Sequence, residues 1–146
     1  MIRIFLALLV VALAGMAGCR SKGFEPPGYV MGCPTGGDKK IKGVDDLIAA
    51  KSDPSGNIDD IKIAEMRCAK RGEQLRIEVD LINESKDVRR LAWRFRWLDK
   101  EGMRAWAEET WKPELLYGKT RHTVSTVSPS AEAVDFRFVV RNLEQP

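Results

Sequence analysis

Several things that whole classes of function require are scarce in this 146-residue sequence. There is one histidine, His122, and no G-x-S-x-G elbow. A nucleophilic triad needs an imidazole held between a nucleophile and an orienting acid. No catalytic residue is therefore assigned, and His122 reads as a surface or rim residue of a strand. There are three cysteines and no C-x-x-C pair, so neither a thioredoxin-like motif nor paired zinc ligands are present. Charge of one sign is also lacking: 24 Lys and Arg stand against 21 Asp and Glu. Nucleic-acid binders carry a marked basic surplus, and none is expected as a partner. Asp53, Ser55, Asn57, Asp59 and Asp60 offer oxygen atoms, but Gly56 and Ala64 fall where a calcium loop of the EF-hand type cannot use them. The segment reads as a polar turn, with no metal and no cofactor expected.

No apolar run reaches the ~20 residues that a spanning helix needs. What is present is shorter and more specific. Arg3 is followed by an uncharged apolar stretch over residues 4–17, which ends in Met16-Ala17-Gly18-Cys19. A positive start, a short apolar segment and small residues before a cleavage point form a secretory signal. Small residues just before a cysteine have the form of a lipobox, in which the thiol is acylated and the chain is cut ahead of it. Residues 1–18 are thus expected to be removed and Cys19 to carry lipid. The alternative is an ordinary secretory signal with a chance cysteine. Two or more acyl chains hold a protein stably on a membrane it does not cross. Residue 20 is Arg rather than the Asp that commonly retains lipoproteins in the inner membrane, so the expected location is the outer membrane, facing the periplasm. In that oxidising compartment Cys33 and Cys68 are expected to form a disulfide; two buried, unpaired thiols are the alternative.

Residues 19–57 are rich in Gly, Pro, Lys and Asp and read as a lipidated, flexible tether. One short helix is expected over 44–51, with Asp45 and Asp46 in its first turn. The stretch 53–57 is turn chemistry. After Asn57 the pattern becomes period two. Ile61, Ile63, Met66 and Cys68 mark a strand with a bulge in its middle. Leu75, Ile77, Val79 and Leu81 alternate with Arg76, Glu78 and Asp80. Leu91, Trp93, Phe95 and Trp97 alternate with Ala92, Arg94 and Arg96. Further strands are expected at the start of 103–111, over 120–127 and over 134–140. Residues 99–102 form a turn with Gly102 at a positive φ. These short strands predict an all-β domain over 58–146, an immunoglobulin-like antiparallel β-sandwich. In that reading 75–81 and 91–97 form a hairpin. Glu78 and Asp80 then share a solvent face with Arg94 and Arg96.

The stretch 94–102, Arg-Phe-Arg-Trp-Leu-Asp-Lys-Glu-Gly, resembles the central signature of the YcfL-like family of small periplasmic lipoproteins. Val79-Asp80-Leu81-Ile82-Asn83 before it suits the same family. So do Trp111 and Leu116-Tyr117-Gly118-Lys119-Thr120 after it. The resemblance covers residues 58–142. It implies a sandwich-like domain, a lipid anchor, no known catalysis and an association with cell-wall synthesis. The segment before Asn57, with Cys33, departs from it.

The candidate contact residues are Arg94, Arg96, Arg104, Trp106 and Trp111. Arginine forks bind carboxylates and phosphates. The basic stretch from Lys86 to Arg104 therefore offers a face for an acidic envelope protein or a cell-wall polymer, or is simply a solvated strand face. Of Trp106 and Trp111, one is expected to be exposed. The leading expectation is a non-catalytic binding or accessory module of the cell envelope. The alternative is a structural or stress-related envelope lipoprotein that contacts anionic polymers through its basic face.

Overall fold

Apolar side chains at every second position can be buried only if the chain pairs into sheets and two such sheets close on each other. A computed structural model describes residues 29–143, apart from 31, 37 and 39, and shows this solution. The elements are β1 (Tyr29–Val30), β2 (Cys33–Pro34), α1 (Val44–Lys51), β3 (Ser52–Ser55), β4 (Ile61–Arg71), β5 (Gln74–Asn83), β6 (Arg89–Leu98), β7 (Lys112–Leu116), β8 (Arg121–Val127) and β9 (Asp135–Asn142). One sheet has the order β3-β9-β6-β7 and the other β4-β5-β8. A two-stranded ladder, β1-β2, precedes them. The described residues form an all-β sandwich with one short helix. The signal, Cys19 and the first part of the tether expected from the sequence, through residue 28, lie outside the described residues.

The core is the alternation made physical. Trp93, Phe95 and Trp97 of β6 and Phe136, Phe138 and Val140 of β9 point inward from one sheet. Met66, Cys68, Ile77, Val79, Leu81 and Val124 meet them from the other. Phe95 is central, with Phe138, Trp97 and Phe136 centroids 5.2, 5.6 and 5.7 Å away. Such pairs contribute about 0.5–1.5 kcal/mol each beyond their area. In β4 the inward residues are odd up to Ile63 and even from Met66. The register shift between Ile63 and Glu65 against β5 reconciles the two runs, because one extra residue inverts the parity of everything after it.

Helix α1 covers the residues the sequence predicts, with Asp45 and Asp46 in its first turn and Lys51 in its last. Leu47 is fully buried. Lys51 is buried too, its Nζ donating to both Asp135 oxygens at 2.6 and 2.7 Å. Cys33 and Cys68 form a disulfide with Cα atoms 4.6 Å apart. It fastens the segment before α1 to β4.

Four expectations are corrected. Strands β5 and β6 do not form a hairpin: β5 pairs with β4 and β8, and β6 with β7 and β9. Both send their odd residues to one core, which sheets facing each other satisfy as well as neighbours in one sheet. The turn-like segment 53–57 contributes β3, a parallel partner of β9, so the sandwich is not wholly antiparallel. Pro54 is tolerated there because β3 is an edge. The folded unit therefore starts ahead of residue 58, with α1 and β3 inside it. Residues 103–111 form no strand; only a bridge between Leu98 and Arg104 follows the turn. The strand in this region is β7, further along. Gly102 does take a positive φ, 79°.

Candidate binding face

On β6 the even residues turn outward, beside the odd residues of β9. Arg94 and Arg141 both lie against the Trp111 ring, their guanidinium carbons 4.2 and 4.1 Å from its centroid. Ala92 and Val139 face outward between these arginines and are nonetheless buried, as expected under such a cover. Arg94 also reaches Glu108 at 2.5 Å and donates to the Glu109 carbonyl at 3.5 Å. Its side chain is only 16% exposed. Arg96 lies 4.0 Å from Asp53 and stands opposite Arg137 in the ladder. Earlier in the basic stretch, Arg89 pairs with Asp60 at 2.5 Å. The acids that balance this face come from β3 and from the segment after residue 104. Glu78 and Asp80 lie on the other sheet, which corrects the expected shared face. Trp111 is engaged by two cations and is not a free platform.

Strand β7 pairs with β6 only as far as Trp93. Beyond it the edge of β6 is covered by residues 99–111, and this segment is pinned at several points. The Asp99 side chain accepts from Glu101 N–H and Met103 N–H at 3.0 and 2.8 Å. Ala105 N–H donates to the Trp97 carbonyl at 3.0 Å. Glu109 closes the run. Its carboxylate accepts from the Trp97 indole N–H at 2.6 Å and from Phe95 N–H at 3.2 Å. A buried indole donor and an otherwise open backbone donor are satisfied together. The same segment leaves Met103 and Trp106 63% and 48% exposed, with Arg104 exposed between them. Beside it lies an open groove of about 630 Å³, lined by Thr35, Lys51, Lys100, Asp135 and Arg137 among others.

The opposite outer face is also an ion network. Asp80 is buried in mid-strand and accepts from Thr123 at 2.6 Å, from both Nη atoms of Arg67 at 3.2 Å and from Arg121 at 3.2 Å. Arg67 pairs further with Glu65 and Glu78. Burial works against the Asp80 charge, but the Thr123 and Arg67 hydrogen bonds and the charges of Arg67 and Arg121 outweigh it and hold its carboxyl below the ordinary value. The Asp80 bond and charge in turn raise Arg67 against desolvation. His122 Nε2 lies 3.3 Å from Glu114 Oε1 and joins the rims of the two sheets. Of the oxygen-bearing residues at 53–60, Asp53 and Asp60 face arginines, and the Asn57 side chain accepts from Asp59 N–H at 3.1 Å.

The structure thus brings Arg94 and Trp111 together and leaves Arg104 and Trp106 in solvent on a fixed loop, with Arg96 between these groups. Sequence reasoning missed Glu109 and set Asp80 on a solvent face, whereas the fold buries it. Glu109 sits in an irregular acidic stretch and gives no signal of its own. Asp80 carries one signal, an acid in the middle of a strongly apolar strand.

Fold and face together define a two-sheet β-sandwich with a pinned loop on one sheet edge and charge-compensated outer faces. The chain belongs to the family described as "Protein of unknown function (DUF1425)", whose model matches residues 49–142. That match spans the end of α1 and all of β3 to β9, while Cys33 lies ahead of it. The chain is similar to a solved DUF1425 family member from Shewanella sp. pv-4, with 28% identity and a TM-score of 0.54 over 59% of this chain and 81% of that one. It also shares its fold with the Campylobacter jejuni protein cj0090, at 18% identity and a TM-score of 0.55 over 63% of this chain and 97% of that one. No curated protein matches it.

Proposed function

We propose that the protein is an exported, lipid-anchored binding module of the cell envelope, a relative of the YcfL-like lipoproteins. It is held through Cys19 to the outer membrane and faces the periplasm. It works without catalysis, by docking an envelope protein, as an accessory to cell-wall synthesis. The observation that carries the reading is the loop of Met103, Arg104 and Trp106. Large apolar side chains in solvent on a pinned backbone lose little entropy on binding, and Trp and Arg are the usual anchors of interfaces. The Cys33–Cys68 disulfide suits an oxidising compartment, and the signal-like residues 3–19 supply the route there. Compensation of Arg94 by Glu108 and of Arg96 by Asp53 favours a protein partner over a polyanionic polymer. A polymer needs free cations along its length.

Two measurements test this. Cells expressing the full chain are grown with a fatty-acid analogue; the wild type should be labelled, and Cys19→Ser should remain as unlabelled precursor. A photo-crosslinker placed at Trp106 should capture a discrete envelope protein. Met103→Ser with Trp106→Ser should abolish capture by a crosslinker at Arg104 while the domain stays folded. Normal labelling of Cys19→Ser defeats the anchor, and undiminished capture by the double variant defeats the loop.

A further inference from the structure

A sheet edge is a row of unpaired backbone donors and acceptors, and proteins usually protect it with proline, charge, bulges or brevity. Among the described residues, three of the four edges of the two sandwich sheets carry such devices. β3 has four residues and includes Pro54. β7 has five and includes Pro113. β4 is bulged and carries Lys62, Glu65, Arg67 and Lys70. β8 is the exception. It is seven residues long, pairs with β5 without a register shift, and after Arg121 and His122 reads Thr-Val-Ser-Thr-Val. Among the described residues no strand lies on its second side.

The ladder with β5 shows which groups β8 offers. Asn83 N–H donates to the Thr120 carbonyl, and Ser128 N–H donates to the Leu75 carbonyl. Hydrogen-bonded pairs alternate in an antiparallel ladder, so the even residues of β8 spend their N–H and C=O groups on β5. Those of Arg121, Thr123, Ser125 and Val127 point to the open side.

We infer that β8 is an assembly edge, at which a second copy of this chain adds its own β8 antiparallel about a two-fold axis at Val124. The sheet then runs continuously from β4 of one copy to β4 of the other. The register follows from the open groups. Centred on Val124, Arg121 faces Val127 of the other copy and Thr123 faces Ser125, so every outward group pairs. Centring on Ser125 sets Arg121 against Pro129, which has no N–H. Centring on Thr123 sets Val127 against Lys119, which leaves the strand at φ 58°. The chosen register opposes no like charges, and the Arg121 charge already faces Asp80 at 3.2 Å. Thr–Ser neighbours across strands are favourable pairs. Val127, 38% exposed, gains a neighbour. Across this dyad the small hydroxyl side chains of Thr123 and Ser125 meet each other and Arg121 meets Val127, so a second copy is an occupant that brings no clash of charge to the edge.

The test uses the full chain in the cells that express it. At a non-hydrogen-bonded pair the Cα atoms approach to about 4.5 Å, so Val124→Cys should oxidise to a disulfide-linked dimer that the wild type does not form. Ser125→Cys, at an exposed position, gives a second route. Its diagonal separation from its own copy, about 7–8 Å, suits a short bismaleimide. Adding Ser125→Pro to Val124→Cys should reduce the dimer about tenfold or more. It should leave the fold intact, because the lost N–H points away from β5. Dimer from either cysteine, lost with the proline, supports the inference. Monomer from both cysteine variants overturns it. So does a dimer that survives the proline, or a crosslinked product that contains another protein.

Discussion

Glu109 holds two donors that no other group among the described residues is seen to reach, and removing it should be the most informative single change in the loop. In Glu109→Ala the Trp97 indole N–H, on a side chain 1% exposed, and Phe95 N–H lose their acceptor. Hydrogen bonds to charged groups contribute about 1.5–3 kcal/mol each. The Trp97 bond at 2.6 Å belongs near the top of that range and the Phe95 bond at 3.2 Å near the bottom. The Glu109 side chain is 17% exposed, so water recovers part of the loss. The expected destabilisation is about 3 kcal/mol, or about 10 °C in Tm at roughly 3–4 °C per kcal/mol. Glu109→Gln should cost about half as much, since an amide presents one acceptor oxygen where two donors need one each. The decisive assay is a double-mutant cycle with Trp97→Phe, read by urea denaturation followed by circular dichroism. Trp97→Phe carries its own packing penalty, but the cycle removes it. A coupling of about 1.5–2 kcal/mol is expected between the two positions. A coupling below about 0.5 kcal/mol would refute the claim that Glu109 acts through the indole.

Asp80 sets an acid dependence. Its folded carboxyl lies below the ordinary value, so its contribution to stability is fully present above the unfolded value, near 3.8, and is lost as pH falls through the folded one. Asp80→Asn should flatten Tm against pH below about 4; an unchanged acid limb would contradict the network. Purified chain, denatured without reductant, should show no titratable thiol at Cys33 or Cys68, and Cys33→Ala with Cys68→Ala should lower stability by about 3–4 kcal/mol for a loop of this size. A Cβ on Gly118 would fall 2.1 Å from the Lys86 carbonyl oxygen, so Gly118→Ala should lower Tm by several degrees, whereas Gly102→Ala, with open space but φ 79°, should cost about 1 kcal/mol. Arg94→Glu should destabilise by about 1–2 kcal/mol, because the new carboxylate meets Glu108 and abandons Trp111; a neutral result in thermal melts would show that the stack is idle.

Much of this fold is legible in the sequence because strand burial has a local code. Trp93-Arg94-Phe95-Arg96-Trp97 states which residues face the core with no knowledge of the partner strand. The parity change between Ile63 and Met66 announces the β4 bulge, and Asp45 and Asp46 mark the start of α1. The contact residues were legible only by type. Arg94 and Trp111 looked alike as candidates with Arg104 and Trp106, yet the first two are spent on each other. The signal for that would have had to come from Arg141, thirty residues beyond Trp111 in the chain.

By itself, then, the sequence determined the inward faces of β4, β5, β6 and β9, the all-β class and the cysteines available for pairing. Period two and chemical type belong to neighbouring residues, so these features needed nothing else. Only the tertiary structure decided that β5 and β6 lie in opposite sheets, that Ser52–Ser55 joins β9 in parallel, and that Glu109 and Asp80 hold buried donors. Pairing between strands is a non-local choice among arrangements that bury the same faces. A polar group is satisfied by whatever partner the fold delivers, and Asp80 receives Arg67, Arg121 and Thr123 from two other strands.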